Sequence, residues 1–245
     1  MDKTSAQKFR AEFVRKNCCL FQTRQLGFGT TAANNAVMQN EQSQVAEAEK
    51  SEIRSLALAM IPVGIVINLS IGTLVSILKL PLFVDATGTI LVTLLLGIRA
   101  GAITGVLSFL IGGLLVNPVM PWFCGTQAAI AVYVGLMARA GFFRSFWRVI
   151  VCGIGLGIVA ATVSAPVIAK LFGGITGSGS GVITAFFLAT GKSIIKSVFL
   201  TGISCEPVDK TLQCLLAFWL IRSLPKKLLG RFAGGGRLEK NNFYP

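Results

Sequence analysis

The chain has 245 residues, 53% hydrophobic and 13% charged, with no histidine and a formal net charge of +13. Soluble domains carry about 25% charged residues, so a chain this apolar, with mean hydropathy +0.71, reads as a polytopic membrane protein. The missing histidine excludes Ser-His and Cys-His catalysis and a histidine proton relay, and the basic balance reads as a marker of the cytoplasmic side of a bilayer, not as a nucleic-acid surface.

Residues 1–52 are polar, of mixed charge and without a sustained apolar face. They lack the apolar core of a secretory signal and read as a disordered cytoplasmic extension. Met38, close before the first apolar run, is a candidate start. Residues 53–225 form the membrane-embedded, substrate-binding domain, and 226–245 a basic cytoplasmic tail. Seven apolar stretches follow in order: 56–78, 86–98, 101–116, 123–138, 149–172, 182–202 and 208–224. KLPLFVD joins the first two, Arg99 sits in the GIRAG turn, NPVMPW stops the third with two prolines, and the uncharged GGITGSGSG follows the fifth.

Charge decides how many of the seven cross. The basic N-terminus, Arg99, the group Arg139, Arg144 and Arg148, and then Lys226, Lys227 and Arg231 all fall on one side only if one late stretch does not cross. Lys192 and Lys196 share one face of 182–202 at i, i+4 spacing, and a charge at the bilayer centre costs at least about 2.5 kcal/mol. The expectation is therefore an all-α integral membrane protein with six transmembrane helices plus one outer re-entrant or interfacial helix, 182–202. It is multi-pass in the cell (inner) membrane, with both termini cytoplasmic. Seven spans would instead place LPKKLLGR outside. Gly153, Gly157, Ala161 and Ala165 in the fifth stretch, and Gly101, Gly105, Ser108 and Gly112 in the third, give smooth faces for helix contact, within the bundle or with a partner.

Cys18, Cys19, Cys124, Cys152, Cys205 and Cys214 make no CxxC pair, so neither zinc nor a redox framework is implied. ATGKS at 189–193 lacks the upstream glycine of a phosphate loop, Phe186 standing in its place. GIGLG at 153–157 lies inside an apolar span, and GSGSG at 177–181 has Gly179 where a nucleophile elbow needs serine. No ATPase or hydrolase is visible, and the protein reads as a non-enzyme without a cofactor.

Polar groups remain. Asp85 and Thr87, then Asn117, Trp122 and Gln127, then Lys192 and Lys196, then Glu206, Asp209 and Lys210 all fall at the outer mouth of the bundle on this count of sides. Of these, Asp85, Thr87, Asn117, Trp122, Gln127, Lys192 and Asp209 are the candidate substrate-binding residues. Trp122 offers a stacking face, and Asn117 and Gln127 offer donors and acceptors. The plainer reading makes Asp85 a cap of the second helix, gives Glu206 and Asp209 a similar role, and pairs Asp209 with Lys192 or Lys196.

The run LPLFVDATGTILVTLLLGIRAGAITG, the small-residue third helix, and the later GGITGSGSG and EPVDKTLQCLLAFWLIRSLP together resemble the substrate-binding S components of energy-coupling factor transporters over 56–225. The resemblance implies a six-helix membrane protein that binds a vitamin or related micronutrient at the outer face. It implies as partners the lipid bilayer, a separate membrane scaffold subunit and two cytoplasmic ATPases. Substrate capture maps onto 80–87, 117–127 and 173–210. In the family, small-residue faces near the N-terminal helices dock on the scaffold, whereas Ala57, Ala59, Gly64, Ser70 and Gly72 form no single stripe here. The rival is a ligand-sensing or assembly membrane protein without transport. An intramembrane enzyme is set aside on two grounds, the missing histidine and the lack of a polar cluster at midplane.

Overall fold

The computed structural model describes residues 58–78, 82–174 and 180–225, together with the single residues 44, 51, 55, 229 and 232. Apart from those single residues, the 1–52 extension, the Met38 start and the 226–245 tail lie outside them. The chain divides into residues 1–50 and 51–245, and every element below belongs to the second unit.

Among the described residues all regular structure is helical: α1 Leu58–Ile77, α2 Thr87–Leu96, α3 Ile98–Leu115, a 3₁₀ turn Met120–Phe123, α4 Cys124–Arg139, a second 3₁₀ turn Phe142–Arg144, α5 Phe146–Leu171, α6 Ser180–Ala189 and α7 Ile194–Ser223. Four helices are long and apolar enough to cross a membrane: α1, α3, the Met120–Arg139 unit and α5. At 30 residues α7 is about 45 Å long, but it carries the charges discussed below.

Contact pairs fix the directions. Gly64 meets Val92 and Gly72 meets Asp85, so α1 and α2 run antiparallel. Gly101 meets Thr93, and Gly105 meets Thr89 and Gln127. Gly112 meets Met120 while Gly135 meets Ile98. Gly153, Gly157 and Ala161 meet Thr211, Pro207 and Gly202 on α7. Each of these pairings reverses direction. The small-residue faces of α3 and α5 are thus spent inside the bundle, as are Gly64 and Gly72. Without a hydrophobic drive between helices in lipid, such close backbone approach supplies the contact.

The apolar core lies at one end. Ile90, Leu91, Leu94 and Leu95 of α2 pack with Ile130 and Val134 of α4, Val149, Cys152 and Leu156 of α5, and Ala217, Phe218 and Ile221 of α7. Nine of the ten α2 residues are buried, as a helix apolar on all sides requires. Gly97 ends it at φ 99°, its N–H donating to Thr93 O at 2.9 Å, a conformation that glycine adopts at little cost.

Two boundaries differ from expectation. The stretch 182–202 is not one helix: it breaks at residues 190–193 into α6 and the start of α7. Gly191, at φ 77°, closes α6, and Ser193 is the extended residue that opens α7. Lys192 therefore lies in the turn, 5.1 Å from the Phe187 ring, and shares no helix face with Lys196. The expected start of the last span at 208 is also absent, because α7 runs unbroken through Pro207. The proline deletes one helical hydrogen bond. Gly157 leaves room for its backbone from α5, so the neighbouring helix supports this turn of α7.

Candidate functional site

Between α1 and α2 the connector 82–86 is not helical, and its N–H groups have no helical acceptors. Buried backbone N–H groups need acceptors, most of all where lipid offers none, and distant side chains supply them. Asp209 Oδ1 on α7 accepts from Phe83 N at 3.0 Å and Val84 N at 2.9 Å. Gln213 Oε1 accepts from Ala86 N at 3.0 Å. Asn68 Oδ1 on α1 accepts from Gly88 N at 2.7 Å and Thr89 N at 3.3 Å, satisfying two of the free donors at the start of α2. Asn68 Nδ2 donates onward to Thr89 Oγ1 and Ser108 Oγ, and Thr89 Oγ1 donates to Gln127 Oε1 at 3.0 Å. This clamp holds Val84 at φ 44°, a left-handed conformation that a β-branched residue rarely adopts.

Beside the connector lies a charged cluster. Lys210 Nζ stands 2.8 Å from Asp209 Oδ2, 3.4 Å from Asp85 Oδ1 and 3.6 Å from Glu206 Oε2. Asp209 Oδ2 also accepts from Gln213 Nε2 at 2.8 Å. Both Asp209 oxygens are thus used twice on protein donors, and the residue is fully buried. Glu206 Oε2 is buried with no hydrogen-bond partner, as is Thr126 Oγ1. Fifteen residues into α7, Asp209 lies about 22 Å along the helix from Ile194, near its middle. The ionic groups on α7 therefore sit at the mid-length of that helix.

A cavity of ≈ 190 Å³ runs from this cluster toward the end of the bundle where α1 and α3 finish. Its wall includes Asn68, Asp85, Asn117, Gln127, Glu206 and Lys210 among the polar residues, and Leu69, Phe83, Phe109, Met120, Phe123 and Ile168 among the apolar ones.

Of the seven candidate substrate-binding residues the structure brings Asp85, Asn117 and Gln127 to this wall, and of the other polar groups singled out from the sequence it brings Glu206 and Lys210. Asp85 is not the cap of α2: that position is Ala86, without a side-chain cap bond. Asp209 is out of the wall, anchoring the connector, and its cationic neighbour is Lys210, not Lys192 or Lys196. Thr87 is fully buried at the start of α2, with its hydroxyl unpartnered, and is not part of the wall. Trp122, 59% exposed, and Lys192 are also outside it; Phe83, Phe109 and Phe123 provide the aromatic surface expected of Trp122. Sequence reasoning passed over Asn68, whose signal was a lone amide in the middle of an apolar helix. Among the described residues no group of three or more Cys, Asp or Glu is placed to hold a metal ion.

No family model, curated protein or solved structure matches this chain.

Proposed function

We propose that this protein is the substrate-binding membrane subunit of an ATP-driven importer of the energy-coupling factor type, taking a small, vitamin-like molecule into the cavity from the outer face of the cell membrane. The supporting observation is the cavity itself: concave, largely apolar, with a few polar groups converging at its floor, the usual form of a small-molecule site. In this reading the chain crosses six times. The connector 82–86 with α2 makes the second crossing, and α6 is the outer helix of partial depth. Both termini are cytoplasmic, and the cavity opens outward beside the connector. Release follows when ATP hydrolysis by partner subunits reorients the protein, a task for which this chain carries no nucleotide-binding motif of its own.

Affinity capture from native membranes in mild detergent tests the reading. We expect a membrane scaffold subunit and ATPase subunits to co-purify in stoichiometric amounts. Recovery of the chain without any ATPase would remove the transport mechanism and leave the ligand-sensing reading of the same cavity.

A further inference from the structure

We propose that the cavity selects a small organic cation, a protonated amine or amidine on an apolar body, whose charge pairs with Glu206 and Asp85. This rests on the cavity being a ligand site. The argument starts from charge. Three carboxylates, Asp85, Glu206 and Asp209, surround one ammonium, Lys210. Asp209 is the carboxylate nearest to Lys210 and is saturated by Phe83, Val84, Lys210 and Gln213, which uses the roughly four acceptor positions of a carboxylate. The negative charge in excess therefore belongs to Asp85 and Glu206, and both are in the cavity wall.

Glu206 supplies an independent second observation. Its side chain is only 10% exposed, and Oε2 has no hydrogen-bond partner. Its ionic contact is the Lys210 ammonium at 3.6 Å, beyond hydrogen-bond reach and shared with Asp85 and Asp209, so the buried carboxylate is incompletely compensated. Thr126 adds a hydroxyl in the same wall, likewise unpartnered. A cationic N–H donor satisfies what these groups lack. A metal ion does not fit, because the place among the carboxylates is taken by the Lys210 ammonium. Leu69, Phe109, Phe123 and Ile130 then suit an apolar body behind the charge, with ring faces that also favour a cation.

The test uses three probes of one shape, benzylammonium, benzyl alcohol and benzoate, titrated calorimetrically into the full-length protein in detergent. We expect benzylammonium to bind at least about tenfold more tightly than benzyl alcohol, and benzoate to give no heat. Glu206→Gln should lower benzylammonium affinity by about tenfold or more and leave benzyl alcohol unchanged. Asp85→Asn, read the same way, serves if the first variant does not fold. Equal or tighter binding of the alcohol or benzoate would overturn the cationic class while keeping the cavity as a ligand site. No binding of any probe would overturn both.

Discussion

Asp209 shows how one side chain can stand in for missing backbone partners. The connector reaches α7 across about 125 residues of sequence, and two of its N–H groups end on a single carboxylate oxygen. Removing the carboxylate leaves both donors without an acceptor and takes from the Lys210 ammonium its nearest partner, and breaking a buried ionic group in this way costs about 3–5 kcal/mol. Asp209→Ala should therefore lower the melting temperature in detergent sharply, whereas Trp122→Ala, at an exposed site outside the cavity wall, should change neither melting temperature nor probe affinity. An Asp209→Ala protein that melts like the wild type would show that the connector is not held this way. The sequence could mark Asp85, Glu206 and Asp209 as unusual, since acids within apolar runs are rare. It could not tell the wall-lining acid from the anchoring one, because that depends on which peptide groups a loop 125 positions away leaves unpaired. Asn68 escaped for the same reason: its importance lies in Gly88, Thr89 and Ser108, none of them its neighbours in sequence.

Small residues carry the corresponding message for whole elements. The Gly153, Gly157 and Ala161 face was legible as a contact surface but not as belonging to α7 in place of a partner protein. The antiparallel match to Thr211, Pro207 and Gly202 settles that it packs inside the bundle. A methyl group at Gly157 would collide with the backbone of Pro207 and Glu206, which cannot rotate away, so α5 and α7 must separate. Gly157→Ala should cost about 1–3 kcal/mol, as overpacking does. Gly125→Ala, where nothing lies within 4 Å, should be neutral or stabilising by up to about 1 kcal/mol, since alanine favours the helix. Melting the two variants in parallel checks this, and equal stability would mean that the helix pair is looser than its contacts imply. Helix ends were read less well than helix faces. Hydropathy alone runs through the turn at 190–193 because its flanks are apolar, and it stops at Glu206 because charge interrupts it. The backbone does the reverse, turning at Gly191 and continuing through Pro207.

For the molecule as a whole, the apolar core and the cavity divide the bundle between them, and charge divides it the same way. Arg99, Arg139, Arg144, Arg148 and Arg222 lie toward the core end, while Lys170, Lys192 and Lys196 lie toward the cavity end. Lys226, Lys227 and Arg231 follow α7 in sequence. A bias of this kind orients membrane proteins with the richer end in the cytosol, and the outward-facing cavity of the proposed function rests on that rule. The separation of charge between the two ends was legible in the sequence because it needs only the order of charges and apolar runs; the position of Glu206, Asp209 and Lys210 within one long helix was not, since it follows from α7 continuing through Pro207. Orientation is testable in a chain whose six cysteines are replaced by alanine. Single cysteines are then introduced as Ala140→Cys and Thr190→Cys, two exposed turn positions at opposite ends. On intact cells a membrane-impermeant maleimide should label position 190 at once and position 140 only after the membrane is opened. The reverse pattern would turn the cavity to the cytosol. Outside capture would then be impossible even for a protein that still bound the cationic probe, and the ligand-sensing reading would be the one consistent with both results.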